Sequence, residues 1–444
     1  MNLTACCSTS WPCHVRCTES LTMNAHPRLA FTPAVGDMAF SAKQCALLTL
    51  AHELGRDKFA ARAAQWDDTA TFPFANYDDL RDAGLLKMCV PESHGGLGAD
   101  YATYMMVAAE IGRHCGATAL TLNMHICSTM WTGVLADGID MTQAQRAEHQ
   151  QRRELHFARV VNEGAIYAQP FSEGSAAAAG RAPFGTTATR VTREGVSGWL
   201  VNGRKIFASL SGAANYYGVL CTEDKGDDKP DARDTLYLAV PATAEGFSIS
   251  GDWNPLGMRG TVSRNLHFKE VFVSDDEQLM PRGIYFKGAI TWPAMFFTLA
   301  PTYLGLANAA YDFTVQYLRG EVPGEPPVKR RMYPTKQIAV AQMRIQLEAM
   351  RSLFARAITE AKPNPSKDEK MRLYAAHYSV MEGANDIARL AIRTCGGQSM
   401  MKHLPLERIY RDSRCGSLML PWTAELVLDR MGRETLYEAG EKDE

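Results

Sequence analysis

The stretch Arg393–Glu425 reads RTCGGQSMMKHLPLERIYRDSRCGSLMLPWTAE and decides the fold. Small or apolar residues lead into it at spacings of three and four, which predicts a helix with one buried face. These residues are Val380, Ala384, Ile387, Ala391 and Cys395. Gly396 and Gly397 then end the helix, because paired glycines can take a left-handed backbone and let another backbone or a cofactor come close. The next segment is predicted to lock a connection by ion pairs among Glu407, Arg408, Arg411, Asp412 and Arg414.

This stretch resembles the C-terminal signature of the acyl-CoA dehydrogenase family of flavoenzymes, through its paired glycines, the segment LPLERIYRDSR and the final Thr-Ala-Glu. In that family the loop after the Arg-Asp pair reads roughly Ile-Tyr-Glu-Gly-Thr, and its Glu is commonly the base that removes the substrate's α-proton. The Glu position falls here on Leu420, or on Pro421 if one residue is inserted. Neither side chain can take a proton. The resemblance therefore implies the scaffold without its usual base.

Composition describes a globular chain. Its 444 residues are 46% hydrophobic and 22% charged, which suits two or three domains. It has no run of about 18 uninterrupted apolar residues, so no membrane span is expected. The net charge is −2 with dispersed Lys and Arg, which predicts neither a nucleic-acid-binding nor a membrane-binding surface.

The cysteines predict a reduced, cytoplasmic protein rather than a disulfide framework. Seven of them stand singly in apolar or helical surroundings and are predicted to be buried thiols: Cys45, Cys89, Cys115, Cys127, Cys221, Cys395 and Cys415. Cys13 and Cys17 have a CxxxC spacing, but no second ligand pair follows, so no metal site is predicted there.

Periodicity divides the chain into an α+β fold with three ordered domains. Residues 1–40 are predicted to be a disordered extension, with a start at Met23 or a transit peptide as alternatives. Residues 41–164 form an N-terminal helical domain, and residues 165–282, rich in short β-branched segments, form a central β-barrel or sandwich. Asn202-Gly203 is predicted to form a two-residue hairpin turn. Residues 283–444 form a C-terminal four-helix bundle, which completes the order of domains in the resembled family.

The resemblance implies FAD as the cofactor, with residues of the β domain against its ring. The loop after the first β strand supplies Ser172, Gly174 and Ser175, and the alternative is a turn of small residues without a ligand. The segment GRKIFAS resembles the family's Gly-x-Lys-Trp-Ile-Thr strand. Phe207 would then flank the flavin ring, and the Ser209 hydroxyl would hydrogen-bond it.

A neighbouring subunit is implied as the source of further cofactor contacts, hence a homotetramer or homodimer. Arg331 stands eleven residues before Gln342, as an Arg and a Gln do in the family. A guanidinium suits a pyrophosphate because it pairs bidentately with phosphate oxygens. Two alternatives remain: Arg330 makes this contact instead, or the segment is a solvated basic turn that binds no cofactor. The remaining implied contacts are Arg393, Gly396, Gly397 and Thr423.

The catalytic base is not identified. A second position that holds the base in some family members, on the first helix of the C-terminal domain, is Met295 here. Two weaker candidates remain: Glu425, near the C-terminal loop, and His125, on a helix that lines the substrate side in relatives. A His on such a helix is more often a core residue.

Three functions follow as expectations. The first is FAD-dependent α,β-dehydrogenation of an acyl thioester, bound to CoA or to a carrier protein, with an electron-transfer flavoprotein as electron acceptor. The second is a flavin monooxygenase or oxidase on the same fold, which needs oxygen and a flavin reductase and no carbon base. The third is a non-catalytic protein that binds flavin or a thioester.

Overall fold

The computed structural model describes residues 29–174, 183–226, 228–438 and 440–441. Within them, six helices precede eight strands and six more helices follow. The N-terminal helices are α1 (Ala42–Leu54), α2 (Ala60–Thr69), α3 (Phe74–Asp82), α4 (Tyr101–His114), α5 (Gly116–Met130) and α6 (Gln143–Asn162). The C-terminal helices are α7 (Ile284–Thr291), α8 (Ala300–Arg319), α9 (Pro334–Thr359), α10 (Lys367–Cys395), α11 (Leu406–Arg414) and α12 (Ala424–Leu436). The predicted order of helices, strands and a helical bundle is confirmed.

The N-terminal helical domain begins at a complete capping box. Ser41 accepts a hydrogen bond from the Gln44 N–H at 3.2 Å, and the Gln44 side chain accepts one from the Ser41 N–H at 2.9 Å. A π-helical turn, Gly55–Phe59, joins α1 to α2. The two helices therefore form one long rod with a local widening at Gly55.

The β domain is one mixed sheet with strand order β6-β7-β3-β2-β4-β5-β8, and β1 pairs with β4 in parallel. Its strands are β1 (Tyr167–Ala168), β2 (Thr187–Arg193), β3 (Val196–Ala208), β4 (Tyr216–Asp224), β5 (Thr235–Pro241), β6 (Phe247–Ser250), β7 (Arg264–Ser274) and β8 (Gln278–Met280). The short β-branched or aromatic segments of the sequence, from Ile166 to Val273, coincide with the first seven strands. No such segment was predicted at β8.

The predicted hairpin turn at Asn202-Gly203 is wrong, because both residues lie inside β3. The turn between β2 and β3 is Glu194-Gly195, where φ is +49° and +81°, as a two-residue primed turn requires. Asn202 instead accepts a hydrogen bond from the Glu270 N–H at 2.8 Å. At Gly203 a Cβ would stand 2.7 Å from Thr186 Cα, so close backbone packing rather than a turn requires this glycine.

Helix α11 connects the C-terminal bundle to the N-terminal helical domain and to the β domain through its charged residues. The Arg411 guanidinium makes a two-pronged contact with the Asp67 carboxylate of α2, with Nη1 2.9 Å from Oδ1. Asp412 accepts a hydrogen bond from the Met258 N–H of the β domain. Gly257 lies so close to α11 that a Cβ there would stand 2.4 Å from the Arg411 carbonyl oxygen. The expected ion pairs form in part: Arg411 pairs with Glu407 and with Asp67 of the N-terminal domain, and Arg414 pairs with Glu382 of α10, whereas Asp412 is held by a backbone donor.

The segment before α1 is tied to both helical domains. The Ala34 carbonyl accepts hydrogen bonds from Asn308 Nδ2 of α8 at 2.9 Å and from Arg351 Nε of α9 at 3.2 Å. The Ala34 N–H donates to the Glu110 carboxylate of α4 at 2.7 Å. One residue thus bridges the N-terminal and C-terminal helices.

Two further expectations concern the core and the membrane. Six of the seven cysteines predicted to be buried are buried, and the prediction is wrong for Cys415, which is only half-buried at the end of α11. Burial raises the pKa of the Cys127 thiol to about 12. Among the described helices, none combines the length and apolarity needed to span a bilayer.

Candidate functional site

The loop after β1 lies along the end of β3. The Ser172 carbonyl accepts a hydrogen bond from the Ile206 N–H at 2.8 Å. Gly174 has a φ of +75°, and a Cβ there would stand 3.3 Å from Ile206 Cδ1. Ser175 lies outside the described residues. Two of the three predicted loop residues therefore lie beside the predicted aromatic position on β3.

A buried ion pair that the sequence analysis missed fixes this loop. Lys205 Nζ lies 2.6 Å from Glu173 Oε1, and the two side chains are 0% and 4% exposed. Glu173 also accepts hydrogen bonds from the Gly185 N–H at 2.6 Å and the Thr186 N–H at 3.0 Å. Burial alone would raise the pKa of Glu173, but Lys205 and these donors hold it below its usual value.

Phe207 is an aromatic ring held outside the core at the end of β3. Its φ is +51° and it is 66% exposed, and the pairing of β3 with β7 shifts register between Lys205 and Ala208. A bulky residue in this conformation costs about 1–3 kcal/mol, and such strain is concentrated at functional sites. Trp253 is its aromatic neighbour, edge-on at 6.3 Å. An exposed, conformationally strained ring suits a wall against which a planar ligand packs.

Ser209 begins a chain of hydroxyl groups. Its Oγ lies 2.8 Å from Ser263 Oγ, which lies 2.8 Å from Thr261 Oγ1, and Thr261 donates to the Met258 carbonyl at 2.8 Å. Because Thr261 donates its proton to that carbonyl, all three contacts are satisfied only if Ser263 donates to Thr261 and Ser209 donates to Ser263. Ser209 then presents an acceptor lone pair to a neighbouring N–H group.

The helical side of the site is an aromatic cluster. The ring of Phe296, which precedes α8, lies 6.3 Å from Phe171 of the loop after β1 and 5.9 Å from Trp422 of the C-terminal loop. Trp422 also meets Tyr374 of α10 edge-on at 5.0 Å. These rings span from the sheet to the terminal bundle and make the wall between them apolar.

Both positions that the resemblance gives to the family's base carry apolar side chains. Met295, beside Phe296, is 2% exposed. Leu420 is half-buried, and it is separated from the buried Trp422 only by Pro421. The side chains at these two positions cannot exchange a proton with a bound molecule.

His377 lies behind Trp422 and was not predicted. Its Nε2 donates to the Trp422 carbonyl at 2.9 Å, and its buried Nδ1 has no hydrogen-bond partner among the described residues. Burial lowers the pKa of His377 to about 4, so the ring is neutral at physiological pH. No sequence signal singled it out, because it occupies a core position of α10.

His125 is bound on both sides by backbone groups. Its Nδ1 accepts from the Tyr167 N–H at 3.0 Å and its Nε2 donates to the Leu86 carbonyl at 2.8 Å. It is fully buried, and burial lowers its pKa to about 4. This is the arrangement of a structural histidine, since neither ring nitrogen is left for a substrate.

The remaining residues of the C-terminal loop lie at the start of α12. Thr423 caps this helix by accepting a hydrogen bond from the Leu426 N–H at 3.3 Å. Glu425 lies exposed in the first turn of α12. A carboxylate there is stabilised by the helix dipole whether or not it reacts.

Arg331 and Arg330 differ in their surroundings. The Arg330 guanidinium lies 4.5 Å from the ring of Tyr317 and is half-buried, whereas Arg331 is exposed. The Arg330 guanidinium is therefore held by a contact within the chain. Arg331 is the better placed of the two to bind an external anion.

The predicted subunit contacts lie on an outer face of the bundle. Lys336, in the first turn of α9, donates to the Thr394 carbonyl at the end of α10, which brings the segments around Arg331 and Arg393 together. Gly396 has a φ of +87°, and no heavy atom lies within 4 Å of a Cβ built there or at Gly397. Arg393 and Gln342 are exposed. This end of the bundle is open for another molecule to approach.

Comparisons with known proteins agree along the chain. Residues 41–148, 173–271 and 297–420 match the family models of the acyl-CoA dehydrogenase N-terminal, middle and C-terminal domains. The putative acyl-CoA dehydrogenase YdbM of Bacillus subtilis is 30% identical over 86% of this chain and 95% of its own. L-evernosamine nitrososynthase of Micromonospora is 28% identical over 85% of this chain and 87% of its own.

A solved structure reproduces the fold. KijD3 in complex with FMN and a dTDP-linked amino-keto sugar superposes with a TM-score of 0.74, covers 93% of this chain and 98% of its own, and is 23% identical. Identity this low carries the architecture alone. The exposed Phe207 ring and the Ser209 acceptor fit a planar ligand at the end of β3. The open glycines lie on the outer face of the bundle, where another molecule can approach.

Proposed function

Because the chain belongs to the acyl-CoA dehydrogenase family, whose members are flavin oxidoreductases, we propose that it is a flavin-dependent monooxygenase of that family. One observation carries this proposal. Leu420 and Met295, at the two positions that the resemblance gives to the family's base, are apolar; in the chain Met295 precedes Phe296 and Leu420 stands two residues before Trp422. Oxygen transfer needs no α-proton to be removed from carbon, whereas dehydrogenation does.

The reaction balances with one external reductant. One atom of molecular oxygen enters the substrate and the other leaves as water, and the two electrons required come from reduced flavin. A separate flavin reductase is the partner that this scheme requires. A bound flavin would supply two-electron redox chemistry and, when reduced, reactivity toward oxygen.

The chain's own residues bind the cofactor and exclude water. Phe207 would pack against the ring system, and Ser209 would accept a hydrogen bond from an N–H of its edge. The linked rings of Phe171, Phe296 and Trp422 would supply apolar surface that keeps water from the reacting atoms. We propose an apolar or aromatic substrate, because a strongly hydrated one would lose its water against these rings without replacement hydrogen bonds.

A second candidate is α,β-dehydrogenation of an acyl thioester. The match to all three acyl-CoA dehydrogenase domain models and the likeness to YdbM favour it. A proton would leave the α-carbon, a hydride would leave the β-carbon for the flavin, and an electron-transfer flavoprotein would then take the electrons. No residue is assigned as its base.

We propose FAD as the flavin and a homodimer or homotetramer as the assembly. Large apolar side chains are exposed on the face that carries Arg331: Met332, Tyr333, Ile338 and Ile345. Burying these side chains against a second copy would bring Arg331 to that copy's pyrophosphate. Sedimentation of the protein as a monomer at micromolar concentration would contradict this arrangement.

Replacing Phe207 by alanine is expected to weaken flavin binding about tenfold, because the loss of about 1.4 kcal/mol of ring packing corresponds to that factor. The stability of the fold should hardly change, since the ring is exposed and its backbone strained. Titration by flavin fluorescence quenching measures the affinity. Phe74→Ala, which removes another exposed ring (55% exposed), is the matched control and should bind flavin like the parent.

Stopped-flow mixing distinguishes the two reactions. Under argon, a panel of acyl-CoAs should leave the oxidised flavin absorbance unchanged. With a flavin reductase, NADH and air, oxygen uptake should depend on an aromatic substrate and yield an oxygenated product. Bleaching by an acyl-CoA under argon would replace the first proposal by the second.

A further inference from the structure

We propose that His52, Glu110 and His114 form a binding site for Zn²⁺ in the N-terminal helical domain. His52 lies on α1, and the other two lie on α4. Neither helix carries a residue proposed for the flavin. Two imidazoles and one carboxylate are a frequent zinc ligand set, and zinc binding needs no redox partner.

The three donor atoms already lie close together. His52 Nδ1 is 2.8 Å and His114 Nε2 is 3.6 Å from Glu110 Oε1, and all three atoms lie within 4.8 Å of one another. Zinc bonds of about 2.1 Å in tetrahedral geometry place ligand atoms roughly 3.4 Å apart. Small side-chain rotations would therefore admit the ion. Glu110 and His114 stand four residues apart on α4, so both face the same side of that helix.

His114 has a ring nitrogen that no hydrogen bond satisfies. Its Nε2 is buried and makes no hydrogen bond among the described residues, since Glu110 Oε1, at 3.6 Å, is within ion-pair range only. A buried polar atom left unsatisfied costs about 1–3 kcal/mol, and a metal bond would remove that cost. Gly55 makes room for the ring, because a Cβ there would stand 2.2 Å from His114 Cδ2. The π-helical turn begins at this glycine, and such turns are frequent at functional sites.

The other two groups are held in place by neighbours. Glu110 Oε2 accepts a hydrogen bond from the Ala34 N–H at 2.7 Å, which leaves Oε1 facing the histidines. Phe31 stacks on the His52 ring at 3.8 Å with an interplanar angle of 12°. Orienting contacts of this kind are what metal ligands require from the groups behind them.

Arg113 is the nearest competing cation. Its Nη1 lies 3.5 Å from Glu110 Oε1, but the same guanidinium donates to Asp312 at 2.7 Å and to the Thr32 carbonyl at 2.9 Å. The carboxylate of Asp312 balances its charge, and these two stronger contacts hold it outside the triangle of donor atoms. Zinc bound there would join α1 and α4 beneath the segment that contains Phe31 and Ala34.

The test uses the full-length protein after treatment with a chelator. Titration with Zn²⁺ in competition with a chromogenic chelator should show one tightly bound ion per chain at this site. The midpoint temperature of thermal unfolding of the protein should rise when zinc binds. His52→Ala and His114→Ala should each lose that ion. His403→Ala, which removes an exposed His paired with Glu325, should keep it. Far-UV circular dichroism of the metal-free variants checks that both remain folded.

X-ray absorption at the zinc edge of the parent gives an answer that does not depend on any variant. Nitrogen and oxygen neighbours at about 2.0–2.1 Å are expected, without sulfur at about 2.3 Å. Sulfur neighbours would assign the ion to the cysteines of residues 1–28 and overturn the proposal. Failure of the parent to bind Zn²⁺, or folded His52→Ala and His114→Ala variants that bind like the parent, would overturn it as well.

Discussion

A Lys205→Met variant is expected to lose about 3–5 kcal/mol of unfolding free energy, because it leaves the Glu173 carboxylate buried without its cation. Both side chains are almost fully inaccessible, so water cannot replace the lost partner. The two backbone donors at Gly185 and Thr186 remain and limit the loss. Urea unfolding followed by circular dichroism at neutral pH measures the difference.

Two control variants distinguish the loss of stability caused by an unpaired buried charge from the loss caused by a missing side-chain contact. The double variant Glu173→Gln with Lys205→Met contains no buried charge and should regain most of the stability. Arg190→Met removes a pair that water reaches, Arg190 with Asp275 (47% and 24% exposed), and should cost no more than about 1 kcal/mol. A Lys205→Met variant as stable as the parent would mean that Glu173 is protonated or hydrated in the folded protein.

A Leu420→Glu variant is expected to gain dehydrogenase activity. It places a carboxylate at the family's base position, and a positioned general base contributes about 10²–10⁴-fold to proton transfer. Position 420 is half-buried, and partial burial raises the pKa of a carboxyl group, which strengthens it as a base. Under argon, butyryl-CoA should bleach the flavin of the variant at least about a hundredfold faster than that of the parent.

Leu418→Glu is the matched control for that gain. It adds the same charge to the same loop at a residue that is 58% exposed, and it should bleach no faster than the parent. If Leu420→Glu and Leu418→Glu behave alike, the loop does not direct residue 420 at the reacting carbon. Residual oxygenase activity should fall in Leu420→Glu only, because a charge there draws water into the apolar wall.

Periodicity predicts the order of elements because helices and strands bury one face each at different spacings. The buried face of α10 and the Glu407–Arg411 pair of α11 follow directly from spacing and charge. Turns are predicted less securely from residue types alone, because Asn202-Gly203 lies inside β3 and not in a turn. The packing of β2 against β3 requires that glycine, and packing partners distant in sequence are invisible to a local pattern.

The residues of the candidate site show the same difference: a local motif predicts some of them, and contacts distant in sequence bring in the others. Phe207 and Ser209 could be proposed from a local motif, and the structure places them beside the loop that holds Ser172 and Gly174. Partners distant in sequence could not be proposed. Glu173 meets Lys205 across 32 residues, and His52 meets Glu110 across 58. Charged residues read singly along the chain resemble an ordinary surface, and only the fold brings them together.

The bridge made by Ala34 bears on how the protein is completed on the ribosome. Ala34 and Arg351 are 317 residues apart. At roughly 5–20 residues per second, synthesis separates the two by roughly 15–60 s. During that interval the Ala34 carbonyl lacks its donor on α9, so the link between the segment before α1 and this helix forms only after α9 has been synthesised.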